Sequence, residues 1–95
     1  FMRNIIMILL LCSCAVSKTK LTKEGKKVNV TFQKPRKKCT PHSSVVGEND
    51  NGIKELAINH ATNLAAEEGA NTLFVKETVN EGKSWKVYGI GYDCR

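Results

Sequence analysis

The chain has 95 residues, with 15 Lys or Arg against 9 Asp or Glu, a formal net charge of +6, and ordinary globular proportions of 41% hydrophobic and 25% charged residues. That length holds one small domain and excludes a two-domain enzyme, a dinucleotide fold with a partner domain, and any repeat array. A domain this small buries only about 60–65% of its unfolded surface, so an additional staple is expected.

Met2-Arg3-Asn4 carries one positive charge, and Ile5 to Leu11 is an unbroken run of Ile, Met and Leu. A charged start and a short apolar run read as a secretory signal, too short to cross a bilayer that needs about 20 residues. Phe1 precedes a natural start at Met2 and is read as lying outside it.

The run ends in Leu11-Cys12-Ser13-Cys14, which resembles the bacterial lipobox, with Cys12 a departure at the second position. The resemblance implies a signal peptide over 1–13, cleavage before Cys14, and diacylglycerol on the Cys14 thiol. Several acyl chains anchor stably where one is marginal. Ala15 after the cysteine implies sorting to the outer membrane. The alternative is an ordinary signal cut after Ala15-Val16-Ser17, giving a soluble secreted protein of the same fold.

Under either cleavage Cys39 and Cys94 remain, an even pair in an oxidising compartment. A bridge between them closes a loop of about 55 residues and stabilises by about 4 kcal/mol in the chain-entropy account. A metal-binding reading competes here, because Cys39-Thr40-Pro41-His42 is a C-x-x-H and His60 follows. A structural zinc site wants four ligands in paired spacings, and no second pair exists. A nucleophilic Cys/His site lacks an orienting third group. No cofactor or metal, and no catalytic residue, is expected.

Residues 18–38 hold nine basic residues (Lys18, Lys20, Lys23, Lys26, Lys27, Lys34, Arg36, Lys37 and Lys38) against Glu24 alone. Residues 39–95 hold five basic and eight acidic ones. The positive charge of the exported chain is therefore concentrated in a segment next to the expected anchor. Each basic residue near an anionic surface contributes about 1 kcal/mol, screened by salt. Lipid headgroups, lipopolysaccharide phosphates or peptidoglycan carboxylates are the expected neighbours, and the competing reading is a solvated linker. Nucleic acid is not expected, since the segment is exported and lacks interleaved aromatics.

Along the rest of the chain, Val28, Val30 and Phe32 alternate with polar residues as a half-buried strand ended by Pro35. Ser43 to Val46 predicts a short strand closed by Gly47. The turn Glu48–Gly52 offers Asp50 or Asn51 as a helix N-cap. Ile53, Leu56, Ala57, Ala61, Leu64 and Ala65 then share one face of a helix over 53–68, with Lys54, Glu55, Asn59, Asn63 and Glu67 pointing elsewhere and His60 at the boundary. Gly69 suits the left-handed C-terminal position. Thr72 to Val79 and Ser84 to Cys94 form a hairpin about Asn80-Glu81-Gly82-Lys83, with Leu73 and Val75 on one side of the first strand. On the second strand Tyr88, Ile90, Tyr92 and Cys94 take one side, and Trp85, Val87, Gly89 and Gly91 the other. The expected fold is α+β: one amphipathic helix packed on a small antiparallel β-sheet, stapled by one disulfide. Its parts are a signal peptide (1–13), a lipidated basic tether (14–25) and the folded domain (26–95).

Three stretches carry a wider resemblance: Cys39 followed by Val45-Val46-Gly47, Asn63-Leu64-Ala65-Ala66-Glu67-Glu68-Gly69-Ala70-Asn71-Thr72-Leu73, and Gly89-Ile90-Gly91-Tyr92-Asp93-Cys94. Together they resemble the small bacterial outer-membrane lipoproteins grouped as a domain of unknown function, relatives of the envelope stress sensor RcsF. The resemblance covers roughly 26–95. It implies a scaffold in which small residues let helix and sheet approach, Gly69 reverses the chain and Asn71 hydrogen-bonds the turn. That sensor has two disulfides where one is expected here, so its signalling role does not carry over. The resulting expectation is a non-catalytic outer-membrane lipoprotein on the periplasmic side, a binding or envelope-sensing module held by its lipid. A small hydrolase or metal binder is the competing class, but the adjacent carboxylates Glu67 and Glu68 diverge by about 100° on a helix and make poor acid/base partners.

Overall fold

The computed structural model describes residues 17–36 and 38–94. The expected signal segment, Cys14 and Lys37 lie outside the described residues. Four strands, β1 (Asn29–Thr31), β2 (Cys39–Asn49), β3 (Thr72–Glu81) and β4 (Ser84–Cys94), join one helix, α1 (Lys54–Glu67). The sheet order is β1-β3-β4-β2. β4 pairs antiparallel with both β2 and β3, and β1 lies parallel to β3. The fold is α+β, one helix on a four-stranded sheet. The sheet is mixed rather than wholly antiparallel because β1 enters beside β3 in the same direction, its first N–H donating to the Asn71 carbonyl at 3.0 Å. β1 and β2 stand at opposite edges of the sheet.

α1 connects β2 to the parallel strand β3 by crossing β4, the usual β-α-β unit. Its buried stripe consists of Ala57, Ala61 and Ala65, all fully buried. The matching positions in the sheet are glycines. A β-carbon on Gly47 would fall 2.3 Å from the Ala57 carbonyl oxygen and 2.5 Å from the Ala61 nitrogen, and one on Gly91 would fall 2.9 Å from the Ala70 β-carbon. Gly47 therefore does not close a strand. β2 runs through it to Asn49, and the missing side chain admits the helix backbone. Val28, Val45, Leu73, Val75 and Val87 complete the core.

This alanine-on-glycine contact explains the first of two departures from expectation. Only alanine fits beneath the helix axis, so Leu56 and Leu64 are half-buried at the rim and Ile53 is 44% exposed. The second lies in the first strand, where Val28 is buried but Val30 and Phe32 are exposed, because β1 is a three-residue edge strand with a neighbour on one side only.

The helix ends are set by their neighbours. The Asn49 side-chain oxygen accepts the N–H groups of Asn51 (2.9 Å) and Ile53 (3.1 Å), so Asn49, not Asp50 or Asn51, ties the entry to α1. At the other end Gly69 has φ 89°, its N–H donates to the Ala66 carbonyl, and the Ala70 N–H donates to Ala65. That is the paired-bond left-handed cap. β3 and β4 meet at Gly82-Lys83 with Gly82 at φ 65°, the two-residue hairpin geometry with glycine first.

Candidate functional site

The basic segment is not a free tether once it reaches Ser17. Asn59 and Asn63 stand one helical turn apart, about 160° around α1 from the alanine stripe at 100° per residue. They should face water, yet Asn63 is 2% exposed. Residues 17–22 lie across this outward face as a strap. The Asn63 side-chain oxygen accepts the N–H (2.9 Å) and hydroxyl (3.2 Å) of Thr22, and its NH2 donates to the carbonyls of Ser17 (3.0 Å) and Lys20 (2.7 Å). Asn59 adds a donor to the Thr19 carbonyl at 2.9 Å. The strap ends in a 3₁₀ turn, Gly25–Lys27, where a β-carbon on Gly25 would fall 2.3 Å from the Asn63 oxygen. Among the described residues, 17–25 thus pack against the domain, and strap, helix and sheet lie in three layers. The helical spacing puts Asn63 on the correct face but does not reveal this clasp; the available signal is two asparagines at i and i+4 on an otherwise solvated face.

The strap turns its charge outward. Lys18, Lys20, Lys23, Lys26 and Lys27 are all exposed, as are Lys34, Arg36 and Lys38 on the link to β2. Lys18 reaches back to Glu48 at the end of β2, 3.4 Å away and well exposed, a pair worth little in stability. Beside it, Lys18, Thr19, Glu48, Asn49, Asp50 and Asn51 line an open cleft of about 310 Å³.

Cys39 and Cys94 are joined, their Cα atoms 4.1 Å apart at directly opposed positions of β2 and β4. Asn71 supports this corner. Its oxygen accepts the Cys94 N–H (2.9 Å) and its NH2 donates to the Cys94 carbonyl (2.9 Å), so a side chain pairs with the strand end as backbone would. The bridge occupies the Cys39 thiol of the C-x-x-H. His42 instead meets the Glu68 carbonyl at the end of α1 through Nε2. His60 Nδ1 accepts the Glu48 N–H at 3.0 Å, which requires the neutral ring. Burial holds its pKa below 6.5, reinforced by Lys18 and opposed by Glu48. Among the described residues no group of three or more His, Cys, Asp or Glu side chains could hold a metal ion. Glu67 and Glu68 are both exposed at the helix end.

The sheet face away from α1 carries Val46 and Tyr88, paired across β2 and β4 and 44% and 38% exposed. Beyond them lie half-buried Ile90 and Phe74, the latter with its ring 6.5 Å from that of Tyr92. No helix among the described residues is long and apolar enough to cross a membrane. No protein-family model matches the chain, and no curated protein and no solved structure matches it.

Proposed function

We propose that this chain is a non-catalytic lipoprotein of the bacterial outer membrane, anchored through Cys14 on the periplasmic side, and that it works as a binding or envelope-sensing module. The observation that carries the reading is Leu11-Cys12-Ser13-Cys14 at the end of an apolar run, followed within a few residues by a cationic strap. The Cys39–Cys94 bridge supports export to an oxidising compartment. The likeness to the RcsF-related lipoproteins supports the same location; the one bridge among the described residues argues against carrying over the sensor's signalling role. The basic segment suits an anionic envelope surface such as lipopolysaccharide or peptidoglycan, and the uncovered sheet face offers room for an envelope protein. Nothing in this reading uses a cofactor or nucleic acid.

The test is expression of the wild type and Cys14→Ala in a Gram-negative host with radiolabelled palmitate. The wild type should take up label, fractionate with the outer membrane and accumulate as a precursor only under globomycin, whereas Cys14→Ala should take up no label, leave the outer membrane and remain an unprocessed precursor or a soluble product with or without globomycin. A Cys14→Ala protein that still labels and still fractionates with the outer membrane would refute the anchor.

A further inference from the structure

We propose that the Asn63 clasp turns the segment after the lipidated cysteine into a fixed footing, laying the strap face of the domain against anionic phospholipid headgroups and directing the open sheet face away from the membrane. The inference rests on the lipid anchor at Cys14. From Cys14 to Ser17 is three residues, a reach of at most about 10 Å. Ser17 is already held, its carbonyl accepting from Asn63 at 3.0 Å. A domain fastened that close to its acyl chains cannot tumble freely above the surface, as it would on a tether of a dozen mobile residues.

The face that the clasp brings down is the charged one. Lys20, Lys23, Lys26 and Lys27 are exposed on the strap and its 3₁₀ turn, with Glu24 the one acidic residue among 17–27. Phosphates of acidic phospholipids complement that surface, and the interaction should fade with salt. Because strap, helix and sheet are stacked in that order, Val46, Tyr88 and Lys86, at facing or alternate positions of β2 and β4, lie on the far side. Without the clasp the strap would no longer be fixed to the domain, and neither its lysines nor the sheet face behind them would keep a set position against the membrane.

The experiment uses the full-length lipidated protein in vesicles of phosphatidylglycerol and phosphatidylethanolamine, with all-phosphatidylcholine vesicles as reference. Flotation reports the anchor. Acylation of each lysine, followed by mass spectrometry, reports orientation. On anionic vesicles Lys26 and Lys27 should react about fivefold more slowly than on phosphatidylcholine, the ratio that about 1 kcal/mol per near-surface lysine gives, while Lys86 should be unchanged. Asn63→Ala should still float but lose the difference between Lys26 and Lys86. Should that variant fail to fold, the triple change Lys23→Gln, Lys26→Gln and Lys27→Gln, all at exposed positions, should float and abolish the slowing at Lys20. Equal slowing of Lys26 and Lys86, or no slowing at Lys26 and Lys27 in a wild type that floats, overturns the footing and leaves the anchor standing. A wild type that does not float overturns both.

Discussion

Gly47→Ala tests the packing that holds the domain together. The new methyl group would lie 2.3 Å from the Ala57 carbonyl oxygen, 2.5 Å from the Ala61 nitrogen and 2.7 Å from the Ala61 β-carbon. Two of these neighbours are helix backbone, which cannot swing aside as a flexible side chain can. Relief requires α1 to lift from the sheet by about 1 Å. A gap of that size forfeits a quarter to a half of the dispersion energy of each contact along the alanine stripe. Overpacking of this kind costs about 1–3 kcal/mol, and the backbone clash puts Gly47→Ala at the upper end, about 3 kcal/mol. With a denaturant slope near 1 kcal/mol/M for so small a domain, the urea midpoint should fall by about 2–3 M. Gly52→Ala is the control. Gly52 has φ 79° but no atom within 4 Å of where an added methyl would sit, so that variant should lose only about 1 kcal/mol through backbone strain. A Gly47→Ala protein that unfolds within about 0.5 M of the wild type would refute the close helix–sheet contact.

Three further outcomes follow from the same contacts. Cys39→Ser opens a loop with a sequence separation of 55 and should lower stability by about 4 kcal/mol; a thiol titration of denatured mature protein that finds two free groups would show that the bridge does not form in the envelope. His60 is neutral in the fold and its pKa lies below 6.5, so the unfolded chain binds its proton first. Stability is then complete above about 6.5 and falls as pH drops toward the folded value. His60→Gln should flatten that part of the profile in urea titrations at stepped pH, and an unchanged slope would contradict the Nδ1 contact. Ser43 is half-buried at the β2 irregularity, and its buried hydroxyl has no hydrogen-bond partner among the described residues. Ser43→Ala should therefore leave the midpoint unchanged or slightly raised, and a loss of more than about 1 kcal/mol would mean the hydroxyl has a partner.

Much of the architecture is legible in the residues, for identifiable reasons. The span of α1, the Gly69 cap, the β3–β4 hairpin and the Cys39–Cys94 pair all rest on local chemistry: helical spacing, a left-handed glycine, a two-residue loop and cysteine parity. The facing of the helix is less legible, because apolar periodicity weights Ile53, Leu56 and Leu64 above the alanines that carry the contact. The length of β2 is hidden at Gly47, which reads as the close of a strand and is a contact point; the strand also runs through Pro41, which an edge strand tolerates. The parallel pairing of β1 has no local signature at all, since three alternating residues say nothing about their neighbour. The strap is hidden for a related reason. A lysine-rich segment looks solvated, and what holds it is side-chain amides on a distant helix, 40 to 46 residues away in sequence.

The anchor at Cys14 is the claim on which the location, the footing and the proposed role all depend. The most direct test is the intact mass of the mature protein purified from bacterial membranes, with tandem fragmentation of its first residues. The account predicts an N-terminus at Cys14 carrying a diacylglycerol thioether and an amide-linked acyl chain. A mature chain starting at Lys18 with no lipid, or an uncleaved N-terminus, would contradict it.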